Sequence, residues 1–124
     1  MTAINKLLVL GFCSLLLMNT THADKVRCTN PNGTTFNEIS TCLYEDYQYY
    51  DKQLNVVYKK KLSSLSSYKK NKLKQSELKW IKTRDRECNA LVDELNYGKE
   101  SHFAATECKT DMTKERIEFI KNYK

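Results

Sequence analysis

The segment KWIKTRDREC, Lys79–Cys88, contains the only tryptophan of the sequence together with two arginines, an aspartate and a cysteine. Trp80, Arg84 and Cys88 are spaced four apart, so they would form one stripe on a helix. Such a stripe could bind a ligand, or it could join this helix to its neighbours. The same spacing continues in both directions, mostly with apolar residues, and this favours the second interpretation: Leu73 and Glu77 come before, Leu91 and Leu95 after. We therefore expect Trp80 to pack, Arg84 to make an interhelical charge contact and Cys88 to form a disulfide.

Catalytic residues are scarce. His102 is the only histidine after residue 23, and histidine is the usual general base near neutral pH. The sequence has no nucleophile elbow, glycine-rich phosphate loop or metal-ligand spacing. Carboxylates are plentiful, but a two-carboxylate glycosidase needs a cleft that so short a chain would struggle to build. We predict no enzymatic activity, no cofactor and no metal site.

The first 23 residues have the pattern of a secretory signal. A single lysine precedes the apolar run Leu7–Met18, and small residues close the segment. The run is too short to cross a membrane as a helix. We predict cleavage between Ala23 and Asp24 and export to the periplasm, with no transmembrane segment left. Lipid attachment at Cys13 is the alternative, but Phe12 is bulky where such signals have a small residue.

Cysteines are the second strong signal. Four remain after removal of the leader: Cys28, Cys42, Cys88 and Cys108. An even number in a short exported chain predicts two disulfides. Of the three pairings we prefer Cys28–Cys42 and Cys88–Cys108, because each pair is close in sequence across a predicted non-helical segment. Zinc is disfavoured, since no C-x-x-C pair exists and only one histidine remains.

Apolar residues recur at steps of three and four along most of the remaining chain, which forms a single domain, residues 24–124. We predict helices at Glu38–Leu65, Lys70–Leu95 and His102–Asn122. Asn37 is the expected N-cap of the first helix. Before it, Asn-Pro and Asn-Gly pairs predict a loop. The fold class is therefore all-α: a small antiparallel three-helix bundle with an N-terminal loop, held by two disulfides.

Charge is distributed unevenly. The chain after the leader carries 20 basic and 15 acidic residues, a net charge of +5, which does not by itself imply nucleic acid. Nine lysines and one acid, Glu77, lie between Lys59 and Lys82. A solvated helix face with its connecting turn explains this run. The alternative is a contact with an anionic partner such as cell-wall polymer.

Three charged residues interrupt the apolar stripes: Asp51, Arg84 and Arg116. Burying a charge is costly unless it is paired and hydrogen-bonded. We expect Asp51, near Asn55 and Tyr58 on the first helix, to pair with Arg84, Arg116 or both.

Residues that point away from the stripes are the candidates for meeting a partner. On the second helix these are Lys79, Lys82 and Arg86. Tyr49, in the tyrosine-rich segment YEDYQYY, lies off the inner stripe and is expected to be exposed, as suits a protein contact.

Three segments carry a family likeness: TCLYEDYQYYDKQLNVVYKKKL, LKQSELKWIKTRDREC and ECKTDMTKERIEFI. They resemble the LprI-type lysozyme inhibitor N-terminal domain family, whose pattern is approximately C…D-x-x-LN-x-x-Y…Q-x-x-W-[IL]-x-x-R-D-x-x-C…C…T-x-x-R. It falls here on Cys42, Asp51, Leu54, Asn55, Tyr58, Trp80, Ile81, Arg84, Asp85, Cys88, Cys108, Thr113 and Arg116. Glu77 stands where the family usually has glutamine.

The resemblance implies a small exported helical protein that binds and blocks a lysozyme or related muramidase. Many lysozymes are strongly basic, so such an inhibitor would present an acidic surface, within Asp85–Glu118, or bind a less basic enzyme. Two alternatives stay open. One is an envelope accessory protein that binds anionic cell-wall polymer through the lysine-rich segment. The other is an immunity protein against a secreted wall-degrading toxin. No sequence motif identifies the inhibitory surface or the oligomeric state.

Overall fold

The computed structural model describes residues 26–124, and this part of the chain is helical without strands. Its helices are α1 Phe36–Ser63, α2 Ser67–Asn89, the single-turn α3 Glu94–Tyr97 and α4 Ser101–Lys121. The three long helices confirm the predicted all-α bundle. The predicted leader, its cleavage site and Cys13 lie outside the described residues. None of the described helices is long and apolar enough to cross a bilayer.

The long helices run up, down and up, so α4 is parallel to α1. At one end the Phe36 and Phe103 rings stack with centroids 5.0 Å apart. At the other end Lys61 Nζ donates to the Tyr123 carbonyl oxygen at 3.0 Å. Between these ends α4 packs along α1 more extensively than against α2. Helix α4 is therefore the element that holds the other two together.

A small apolar core lies along α4. Its buried members come from all three long helices: Tyr50, Leu54, Leu73, Ile117 and Ile120. Fully burying a side chain such as Leu73 or Ile120 contributes about 1.5–3 kcal/mol. Half-buried aromatic residues, Trp80 and Tyr58 among them, pack around this cluster and extend it.

Helix α1 begins two residues earlier than the sequence predicts. Thr35, not Asn37, is the N-cap: its hydroxyl accepts from the Glu38 backbone N–H, and the Glu38 carboxylate accepts from the Thr35 N–H at 3.0 Å. These bonds form a capping box. The Thr35 backbone N–H is also the main reason that the pKa of Glu38 lies below its usual value. The reciprocal pair satisfies two backbone N–H groups, those of Thr35 and Glu38. A single Asn37 side chain does not offer this pairing.

The N-terminal loop lies against α1. The Cys28–Cys42 disulfide is present, as preferred from the sequence. Next to it the Thr29 backbone N–H donates to Glu45 at 2.7 Å, and the Arg27 N–H donates to the buried Asp46 carboxylate at 2.7 Å. Gly33 is required by the close approach of the loop, because a Cβ there would lie 2.5 Å from Glu38 Cβ.

Helix α2 ends at Asn89, six residues before the predicted end at Leu95. The periodicity placed Leu91 and Leu95 on the inner stripe, but both are exposed. Two local features explain the difference. The disulfide Cys88–Cys108 fixes the chain to α4 at the end of α2, and the Asp93 side chain accepts from the Asn96 N–H and begins the separate turn α3.

Candidate functional site

Arg84 lies at the centre of the stripe that the sequence singled out. Its guanidinium carbon is 5.0 Å from the centroid of the Trp80 ring, within the range of a cation–π contact. Its Nε donates to Asp85 Oδ1 at 2.9 Å, and its Nη1 lies 3.6 Å from Asp51 Oδ1. The structure therefore brings Asp51 and Arg84 together across α1 and α2, with Asp85 as the closer partner of the arginine.

Of the two arginines considered as partners of Asp51, Arg116 pairs instead with an acid on α2. Its Nε donates to Glu77 Oε2 at 2.8 Å, and its Nη2 donates to Ser76 Oγ at 2.9 Å. Both charged side chains are buried. The Arg116 guanidinium also lies 5.4 Å from the centroid of the Trp80 ring. This pair was not predicted from the sequence, although Glu77, an acid within the inner stripe of α2, was the signal that could have found it.

Five residues thus form one connected unit, here called the Trp80 cluster: Asp51, Glu77, Trp80, Arg84 and Arg116. Each arginine is joined to a carboxylate and lies near the same indole ring. A buried ion pair contributes little net stability, but removing one partner leaves an uncompensated charge and is strongly destabilising. The cluster therefore fixes how α2 meets α1 and α4, and it is framework.

A groove of about 560 Å³ separates α1 from α2 next to this cluster. Its walls are mostly apolar, and the lining includes Leu54, Tyr58, Leu78, Trp80 and Ile81. Burial, together with the nearby Glu77 carboxylate, raises the pKa of the Tyr58 hydroxyl above its usual value. Asn55 donates its amide to the Asp51 backbone oxygen at 2.9 Å. Both carboxylates of the groove have arginine partners, so neither is arranged as a free acid or base.

The residues predicted to meet a partner divide into two groups. Lys79, Lys82 and Arg86 are exposed on α2, as expected. Tyr49 is not exposed: it is half-buried, and its ring lies edge-on to Tyr50 with centroids 5.1 Å apart. The Arg27 guanidinium covers it at 4.5 Å from the ring centroid. The prediction of an exposed Tyr49 was wrong because it used only the helical periodicity of α1. That periodicity carries no information about the N-terminal segment that covers the ring.

The outer side of α4 carries a row of carboxylates, here called the acidic face: Glu107, Asp111, Glu115 and Glu118. The four residues are spaced by three and four, so they share one side of the helix, and all are exposed. Lys114 lies 3.7 Å from Asp111 and Lys121 lies 2.6 Å from Glu118. Glu107 and Glu115 have no basic partner within 4 Å among the described residues.

The segment between α2 and α4, residues 90–100, is here called the α3 loop. The disulfide Cys88–Cys108 joins the helices on either side of it, as preferred from the sequence. His102, the sequence's only candidate general base, is exposed at the start of α4, and its Nε2 lies 2.6 Å from Glu94 Oε1. This contact ties α3 to α4, so the histidine has a structural partner.

No group of side chains in residues 26–124 has the arrangement of a metal site. The described surface has three distinct features: the mostly apolar groove, the acidic face and the α3 loop.

Comparison with family models identifies the family to which this chain belongs. Residues 28–120 match the model of the family described as lysozyme inhibitor LprI, which covers most of the chain. No curated protein and no solved structure matches the chain. The matched region spans both disulfides, all four helices except the last residue of α4, and the whole Trp80 cluster. The chain therefore belongs to the lysozyme inhibitor LprI family.

Proposed function

We propose that this protein inhibits a lysozyme or related muramidase in the periplasm by binding the enzyme and blocking access to its substrate cleft. Membership of the lysozyme inhibitor LprI family over residues 28–120 carries the proposal. A binding protein of this kind needs a rigid surface and no reaction centre. The three-helix frame with its two disulfides supplies such a surface.

The acidic face supports a basic target. Although the whole chain is basic, the four exposed carboxylates are on α4, a different helix from the exposed lysines of α2. Complementary charge speeds diffusional encounter and suppresses wrong partners more than it adds raw affinity. An acidic face of this kind would attract a strongly basic lysozyme toward α4. The lysine-rich side would repel the same enzyme.

The first experiment is inhibition itself. The protein, exported and purified with its disulfides formed, is titrated into a cell-wall lysis assay with several lysozymes of different net charge. We expect stoichiometric loss of lysis for at least one strongly basic enzyme, without any change in the wall substrate. If no lysozyme is slowed at micromolar excess, the proposed function is wrong.

Two matched charge variants test the surface. Glu107→Lys with Glu115→Lys reverses the two carboxylates that lack a basic partner, and we expect slower association and weaker inhibition. Lys79→Glu with Lys82→Glu reverses two exposed charges on α2 and should leave inhibition unchanged. If the α2 variant weakened inhibition and the α4 variant did not, the lysine-rich side would be the contact surface. Raising the salt concentration should narrow the difference between the variants.

A further inference from the structure

The α3 loop exposes more apolar surface than its length would suggest. Leu95 is 99% exposed, the highest value among the large hydrophobic residues of the described chain, and Tyr97 is 73% exposed. Leu91 is also exposed. Single exposed leucines are ordinary, but here three large apolar side chains are exposed within seven residues. None of the residues of α3 is buried, so Leu95 and Tyr97 contribute nothing to the core.

This loop is held in one shape although it packs little against the body. The Asp93 carboxylate accepts from the backbone and side-chain amides of Asn96, at 3.1 and 2.7 Å. Gly98 ends the turn with a φ of 67°, a left-handed conformation that favours glycine. The Glu94–His102 contact and the disulfide fix its two ends. A segment ordered in advance loses little conformational entropy when it binds.

The charge of the loop matches the acidic face. Residues 90–100 contain three acids and one lysine. Glu100 directly precedes α4, and Glu107 follows it two turns into that helix. An apolar tip with acidic surroundings suits a concave site on a basic protein, where the tip fills the cavity and the carboxylates meet the rim.

We propose that the α3 loop enters the substrate cleft of the inhibited lysozyme, with Leu95 and Tyr97 as its apolar anchors. This inference rests on the proposed function and names the element that performs it. Three features carry it together: the exposure of the two side chains, the ordered shape of the loop, and its negative charge beside the acidic face.

The test compares two pairs of substitutions on exposed residues. Leu95→Ser with Tyr97→Ser removes the anchors. Val56→Ser with Tyr68→Ser is the control pair: it makes a similar chemical change on α1 and α2, where Val56 is 61% and Tyr68 is 70% exposed. Inhibition of a strongly basic lysozyme is titrated for both variants and the unaltered protein. Competition with a trimer of N-acetylglucosamine, a small oligosaccharide that occupies the cleft, is measured in parallel.

We expect the loop variant to need about tenfold or more protein for half-inhibition, whereas the control variant behaves like the unaltered protein. The oligosaccharide should weaken binding of the unaltered protein, since both occupy the cleft. Circular dichroism should show unchanged melting for both variants, because none of the four side chains is buried.

The outcomes separate the two proposals. If the unaltered protein slows no lysozyme, the proposed function fails, and the role of the loop fails with it. If it inhibits and the loop variant inhibits equally, only the loop assignment is wrong. Inhibition that the oligosaccharide does not affect would also overturn cleft entry. So would sedimentation showing that the substitutions dissociate a dimer while inhibition stays intact, because Leu95 and Tyr97 would then face a second copy.

Discussion

The Trp80 cluster and the α3 loop differ in almost every physical respect. In the cluster, two buried arginines have carboxylate partners and share one indole ring. In the loop, leucine and tyrosine side chains project into solvent. Four of the thirteen residues of the family pattern, Asp51, Trp80, Arg84 and Arg116, belong to the cluster, and the cluster is framework. The exposed side chains of the α3 loop lie outside the family pattern.

The largest expected effect on stability comes from changing the buried Trp80 cluster. Glu77→Ala leaves Arg116 buried without its carboxylate, and we expect a loss of about 3–5 kcal/mol in the free energy of unfolding. Glu77→Gln should cost less, since its amide oxygen can still accept from Arg116 Nε. Urea denaturation followed by circular dichroism measures both. If Glu77→Ala were as stable as the unaltered protein, the Glu77–Arg116 ion pair would not contribute to the framework.

The disulfide between the two regions comes next. Replacing Cys88 and Cys108 together by alanine should lower stability by about 3 kcal/mol in the chain-entropy model, and it frees one end of the α3 loop. Cys28→Ala with Cys42→Ala should cost a similar amount, since the closed loops are of comparable length. Only the first pair should also weaken lysozyme inhibition. Equal inhibition by both double variants would show that the loop need not be constrained.

A smaller effect is expected at the solvent edge of the cluster. Asp51→Ala removes a carboxylate whose side chain is 41% exposed and whose oxygen lies 3.6 Å from Arg84. Screening by solvent limits the loss to about 1 kcal/mol or less, because Asp85 still binds the same guanidinium. Asp51→Asn is the control that keeps the shape. An unchanged thermal midpoint in both variants would exclude Asp51 from the cluster.

The smallest effect should be confined to the α3 loop. Hydrogen bonds from Asn96, its side-chain amide first, hold the pKa of Asp93 below its usual value. A lowered folded-state pKa means that this cap stabilises α3 above the unfolded pKa and is lost as pH falls through the folded one. We expect acid to shift the Asn96 amide resonance before the core melts. Asp93→Asn should abolish that titration, and a shift that persists in this variant would assign it elsewhere.

The sequence predicted the elements that depend on local periodicity. The three long helices, the bundle and the disulfide pairs across Cys28–Cys42 and Cys88–Cys108 are present. Amphipathic spacing and turn residues involve residues that are close in sequence, so these elements can be predicted from the sequence.

Other features depend on what meets in space. The Arg116–Glu77 pair joins residues 39 apart in sequence, and no spacing rule selects Glu77 over Asp51. Tyr49 is covered by a segment outside its helix. The end of α2 was missed because Leu91 and Leu95 continue the apolar period, while the disulfide and the Asp93 cap oppose it. The acidic face could have been read from the spacing of four acids on α4.

The central position of α4 has a consequence for how the protein opens. A groove lies between α1 and α2, and α2 packs less extensively against α4 than α1 does, so detaching α2 breaks fewer contacts than separating α1 from α4. Sub-global opening should therefore release α2 first, leaving α1 and α4 paired. The short connection after Ser63 and the disulfide at Cys88 hold both ends of the released helix. Amide hydrogens in the middle of α2 should accordingly exchange with solvent before those of α4.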